Sequence, residues 1–246
     1  MVCATSVTNS RFKSDPIGED ALQLVDLTKK QNQYKYLPKL STQLDKKKDR
    51  YLPDAASPAA IQHPANQAIF ERYLNKIRRA REVADIVIAF PHVGGQYNPA
   101  PGIYTRYVVE ESSAAGASLV VANHPHVPLR AGVDKNGVFC AYSLGNLAFM
   151  PGIDTFRHNT LAEYSILLHA WFDDESHRLR RVTFNVLTCR VDKDDITRVV
   201  PLYDLYRDAP NATARQRLMI DNEAVVARVC CRIPQDVLPE YEIYVS

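Results

Sequence analysis

Two short, unbroken apolar runs constrain this chain more than any other feature: residues 85–90 (DIVIAF, apolar after its first residue) and residues 119–122 (LVVA). Runs of this length suit strands covered on both faces, as parallel strands are in α/β folds. Between them lie a Gly/Pro-rich loop, PHVGGQYNPAPG, and a helical pattern over residues 103–115 with Gly116 placed to close it. Glycine suits the residue just past a helix because it adopts positive φ without a side-chain clash. Strand, crossover helix and strand predict a right-handed βαβ unit with two parallel strands.

The flanks extend this frame. Ile69, Phe70, Tyr73, Leu74, Ile77 and Ala80 recur at helical spacing through residues 66–84, with Arg and Lys on the other side. Residues 131–134 and 138–144 flank Asn136-Gly137, a sequence that predicts a type I′ hairpin turn. Residues 162–172 and 179–189 read as two more strands around the polar turn DDES, and residues 211–231 as a helix followed by a short tail. Before residue 66 the pattern is weak, with a possible short strand at 2–8 and a helix over 18–30. The charge run at residues 45–50 (DKKKDR) reads as a solvated loop, because its acidic flanks dilute the field.

Composition excludes several function classes. Thirty Lys and Arg against 28 Asp and Glu leave +2, so a general electrostatic grip on nucleic acid has no support. No apolar run approaches the length of a membrane span, and the N-terminus lacks the apolar core of a signal peptide. A cytoplasmic chain is therefore expected. Five cysteines without CxxC spacing point away from a disulfide framework and a thiolate zinc site, which fits a reducing compartment. Eight of the nine glycines fall between residues 94 and 152, which marks that segment as the one where backbone turns tightly or approaches something closely.

Histidines stand in the same segment. His92 follows the first apolar run, and His124 and His126 follow the second. Parallel strands bring their carboxyl ends to one edge, and ligands of open α/β sheets bind there. One histidine at a strand end is commonly a structural residue, and an HxH pair alone is a weak signal. Three at matched strand ends, among the glycines, point to a metal. Pro125 favours an extended His124-Pro125-His126 segment, which would aim both imidazoles to one side. Neutral imidazoles suit Zn, Mn, Fe or Ni. Asn146 reads as a tight-turn residue, His158 as a loop residue, His169 as a strand residue, and Arg178, Arg180 and Arg181 as a solvated strand face. The sequon Asn211-Ala212-Thr213 would matter only in a secreted chain.

Three stretches carry a family resemblance. They are HVGGQY at 92–97, AGASLVVANHPHV at 115–127 and YSLGNLAF at 142–149. In order and spacing they resemble the CapA family of capsule or poly-γ-glutamate synthesis proteins, within the calcineurin-like metallophosphatase superfamily. Its patterns are close to HWGxEY, AGADLVVGHHPHV and YSLGNFVF. The resemblance covers roughly residues 66–205, and Pro201 resembles the proline after the family's last sheet strands. This chain departs from it at Val93, Gln96, Ala122 and Asn123, where the family has Trp, an acidic residue, Gly and His.

The resemblance implies an α/β fold of the metallophosphatase type, an αββα sandwich with a dinuclear metal site at its strand ends. His92, His124 and His126 would be metal ligands, with Asn123 and Tyr97 as outer partners. The family's GD and NNHxxDxG motifs, which complete both metals, do not occur in residues 1–65. The chain is therefore expected to match the C-terminal part of such a domain, from residue 66 to 246, after a weakly patterned segment at 1–65. Two functions remain open: a metal-dependent hydrolase of phosphoester or amide bonds with a partial histidine site, and an inactive accessory protein. Half a sandwich would leave sheet edge uncovered, which predicts self-association or a partner. The expected ligand is a small-molecule or polymer substrate.

Overall fold

The computed structural model describes residues 64–94, 100–148, 161–194 and 196–245. The possible elements at 2–8 and 18–30, the charge run at 45–50, Tyr97 and His158 lie outside the described residues. Those described form a mixed α/β fold with one largely parallel and one antiparallel sheet. They group into two compact units: residues up to Pro125 with Val133–Tyr142, and His126–Gly132 with residues from Ser143 onward.

In the first unit, α1 (Pro64–Val83) buries the predicted stripe of Phe70, Tyr73, Leu74, Ile77 and Ala80. Residues between them, such as Glu71, Arg72, Arg78 and Arg79, are exposed. The Tyr73 hydroxyl is buried 2.7 Å from Ser112 Oγ on α2 (Ile103–Ala114), and burial pushes the phenol's pKa up. Helix α2 ends as expected: Gly116 takes φ +107 and donates its N–H to the Ser113 carbonyl.

The predicted crossover is present. Strand β1 (Ile88–Ala89) pairs in parallel with β2 (Leu119–Val121), Ile88 opposite Leu119 and Ala89 opposite Val120. Strand β2 pairs in parallel with β4 (Phe139–Ala141), and β3 (Ala131–Val133) completes the order β1-β2-β4-β3. The ladder at β1 is much shorter than the expected strand at 85–90. Val87 N–H is taken by the Ser118 hydroxyl, and Pro91, lacking an N–H, interrupts the donors before pairing resumes at His92.

The turn between β3 and β4 corrects a further expectation. Of Asn136 and Gly137, only Gly137 has positive φ (+78), so the turn is not type I′. Gly137 N–H donates to the Asp134 carbonyl, and Asp134 N–H to the Val138 carbonyl. The result is a three-residue loop with glycine at its left-handed position. Asp134 Oδ1 stabilises it by accepting from the backbone N–H of Asn136 and Val138, a pull that the dipeptide signal omits.

In the second unit, β5 (Tyr164–Phe172) and β6 (Leu179–Val191) form the expected antiparallel pair. The other side of β6 carries β7 (Thr197–Pro201) and β8 (Tyr241–Val245). After Pro201 comes the short α3 (Leu202–Arg207), then α4 (Ala212–Cys230). Leu218, Val225, Val226 and Val229 of α4 join Tyr164, Ile166, Phe184, Val186 and Tyr241 in one core. The sequon residue Asn211 is the N-cap of α4, its side chain accepting from Ala214 N–H. Strand β8 falls in what the sequence suggested was a tail. Its alternation of Tyr241, Ile243 and Val245 carries the strand period, but two prolines, Pro234 and Pro239, stand before it. Arg178, Arg180 and Arg181 do lie at the solvated edge of the turn and strand. Arg181 lies over Trp171 and pairs with Glu242.

Both turns flanking β6 depend on a carboxylate. Asp173 Oδ1 accepts from the backbone N–H of Ser176 and Glu175 and from the Ser176 hydroxyl; Asp192 accepts from the N–H of Ile196 and Asp194 and from Arg198. Hydrogen bonds from the backbone, first from Ser176 and Ile196 respectively, hold both carboxyls below their ordinary value. A depressed folded-state value adds stability above the unfolded value, and that stability is lost as pH falls through the folded one. The thermal midpoint should therefore decline as pH drops below about 4. The double variant Asp173→Asn, Asp192→Asn should show a shallower decline in a calorimetric pH series; an unchanged slope would contradict these roles.

Candidate functional site

The parallel register of β1 and β2 continues beyond the strands and sets the candidate site. Asn123 N–H donates to the Pro91 carbonyl at 3.1 Å, and Val93 N–H to the Asn123 carbonyl at 2.9 Å. His92 and Asn123 thus form a parallel bridge. This places His92 and the residue after Asn123, His124, side by side at the carboxyl ends of adjacent strands. Their rings meet edge to face with centroids 4.7 Å apart, and His92 Nε2 lies 2.8 Å from His124 Nδ1. Both side chains are half-buried.

Gly94 explains part of the glycine crowding. It has φ +135, and a Cβ there would lie 2.7 Å from Pro125 Cγ. The backbone after His92 therefore packs against the proline that follows His124. The glycine makes room for a neighbouring ring of the protein itself.

The HxH segment departs from the expected extended geometry. His124 has φ +156, and His126 has φ +62 in the left-handed region. Such backbone costs on the order of 1–3 kcal/mol for a non-glycine residue and persists only where surrounding contacts enforce it. The contacts differ for the two residues. His124 meets His92 in the first unit, whereas His126 belongs to the second, where its Nδ1 lies 2.8 Å from Asn146 Oδ1. The expectation that Pro125 would aim both imidazoles one way is thus replaced by a turn that gives each ring its own partner.

Of the residues singled out from sequence, the structure brings His92 and His124 into ring contact and places Asn123 in backbone pairing with His92. Tyr97 is outside the described residues. Asn146 is the residue whose role the sequence concealed: it read as a turn residue, yet its amide holds both the ring and the backbone of His126. Its position after Gly145 signals a turn and carries no hint of its partner. His169 sits within β5, its Nε2 2.6 Å from Asn185 Oδ1.

As a metal-binding set, these residues fit in part. Two imidazole nitrogens face each other on a half-buried strand edge, the donor type that Zn, Mn and Fe accept. Among the described residues, no group of three or more His, Cys, Asp and Glu side chains is placed to hold an ion. The two nitrogens share a hydrogen bond at 2.8 Å, one donating and the other accepting, so they supply at most two of an ion's ligands. Among the described residues, no helix is long and apolar enough to cross a membrane.

The chain belongs to the family of bacterial capsule synthesis proteins PGA_cap, whose family model matches residues 20–151. The match starts inside the weakly patterned segment at 1–65 and ends before β5, earlier at both ends than the stretch at 66–205 indicated by the motifs. Among particular proteins, the chain is similar to the PGA biosynthesis protein CapA of Bacillus subtilis (strain 168), with 35% identity over 105 residues. It is also similar to the capsule biosynthesis protein CapA of Bacillus anthracis, with 31% identity over 97 residues. These alignments cover 42% and 38% of this chain but only 26% and 23% of those proteins, so the chain spans about a quarter of their length.

The packing of Gly94 against Pro125 leads to a prediction. Gly94→Ala should lower stability by about 1–3 kcal/mol through the positive φ alone. It should also perturb the His124 ring resonances in NMR spectra by displacing Pro125. Unchanged stability and His124 shifts would show that this close approach does not position the ring.

Proposed function

We propose that the chain serves the synthesis of a capsule or poly-γ-glutamate type polymer as a metal-dependent hydrolase acting on a phosphoester or amide bond. In this reading His92 Nε2 and His124 Nδ1 hold a divalent ion, Zn, Mn or Fe. The observation that carries it is the 2.8 Å approach of these two nitrogens at the carboxyl ends of adjacent parallel strands. That edge is where α/β sheets bind ligands. Asn123, paired with His92 through the backbone, is an outer partner in the proposal.

A bound divalent ion would supply Lewis-acid polarisation of an acyl or phosphoryl oxygen and a more acidic water. The chain's own part is orientation. The paired bonds between Pro91, Val93 and Asn123 fix the backbone beneath both imidazoles, so little freedom is lost when the rings take up a ligand. The half-buried setting limits competition from bulk water.

A second reading is an accessory protein without catalysis. It is favoured by the lack, among the described residues, of a third metal-ligating side chain grouped with the pair. Metal analysis separates the two. Protein purified in Zn, Mn or Fe should retain stoichiometric metal, which His92→Ala and His124→Ala should lose while keeping their circular dichroism. No bound metal, with a thermal midpoint unmoved by chelator, would leave the accessory reading in its place.

A further inference from the structure

The amide of Asn146 makes three hydrogen bonds, and two of them go to a single residue. Its Nδ2 donates to the His126 carbonyl at 3.1 Å and to the Ala162 carbonyl at 3.4 Å. Its Oδ1 lies 2.8 Å from His126 Nδ1. The two carbonyls determine which way the amide faces. Reversed, it would set its own oxygen against two carbonyl oxygens and its NH2 against the imidazole. With Oδ1 facing the ring, only a protonated Nδ1 completes the contact, because a carbonyl oxygen can accept and cannot donate.

The turn that carries Asn146 leaves it little choice of position. Gly145 has φ +82, and a Cβ there would lie 2.7 Å from the Tyr164 carbonyl oxygen and 3.2 Å from Pro128 Cδ. Gly145 also bridges to Ser165, and Leu144 to Pro128. The strand edges on both sides thus hold the turn, and the turn holds the amide. On the other side of the contact, the left-handed backbone of His126 needs an enforcing contact, and the bond from Asn146 to its carbonyl is one.

We infer that Asn146 is the positioning residue that keeps His126 in its Nδ1–H tautomer, so that the ring offers Nε2 as its electron-pair donor. In water neutral imidazole side chains favour the opposite tautomer, with the proton on Nε2. The protein therefore chooses here, and the choice decides which nitrogen can bind a cation or take a proton from a substrate. The tautomer itself does not depend on any metal.

The test is the two-bond 1H–15N correlation spectrum of full-length protein carrying 15N-labelled histidine, recorded above pH 7.5 without added metal. His126 is expected in the Nδ1–H pattern. Asn146→Ala should move it to the Nε2–H pattern, while Asn146→Asp, which still accepts from Nδ1, should keep the wild-type pattern even at some cost in thermal stability. A general loss of packing would not sort the two variants in this way. An Nε2–H pattern in the wild type overturns the inference, and that measurement needs no variant to fold. An unmoved pattern in folded Asn146→Ala overturns it as well. If wild-type His126 is Nδ1–H in a chain that takes up no Zn, Mn or Fe, the metal reading fails and the positioning role of Asn146 stands.

Discussion

The pairing of two short parallel strands is the constraint on which the candidate site depends. Ile88 lies opposite Leu119 and Ala89 opposite Val120, and this register carries past both strands to set His92 beside Asn123. A slip of one residue would turn alternate side chains to the other face and separate the two histidines. The hydrogen bonds at the strand ends, from Asn123 to Pro91 and from Val93 to Asn123, therefore do more for the site than their own stability contribution of about 1 kcal/mol each. They convert a buried apolar pairing into a defined position for two imidazoles.

A second device works within the other unit. There a glycine without room for a side chain, Gly145, places an asparagine, and the asparagine holds a histidine whose backbone is itself left-handed. The two histidines of the HxH sequence are thus served by different supports: His124 by a strand register and His126 by a turn. Part of the crowding of glycine into one segment follows from this. Gly94 and Gly145 sit where a Cβ would strike a neighbouring ring or carbonyl, Gly116 closes a helix and Gly137 closes a hairpin.

Much of the frame was legible in the sequence because it rests on periodicity. The stripe of α1, the crossover between β1 and β2, and the β5–β6 pair appear where apolar spacing places them. Extents were less legible. The run at 85–90 forms only a two-residue ladder, because Ser118 and Pro91 alter which backbone groups are available for pairing, a matter of partners and not of apolarity. The hairpin at 134–138 shows the same limit: Asn136-Gly137 indicates a turn, but the Asp134 carboxylate selects which turn. At the site, strand order brought His92 and His124 within reach, whereas the local geometry at Pro125 ran against the usual preference of a residue before proline. No local pattern links Asn146 to His126, since the contact spans twenty positions and depends on how the turn after β4 folds back.

The central claim is that His92 and His124 share one divalent ion. X-ray absorption at the zinc edge of the Zn-loaded full-length protein tests it most directly. The account predicts at least two imidazole scatterers at about 2.0–2.1 Å, with imidazole scattering reduced in His92→Ala and in His124→Ala. Zinc bound without imidazole, or with a ligand set that neither substitution alters, would contradict it.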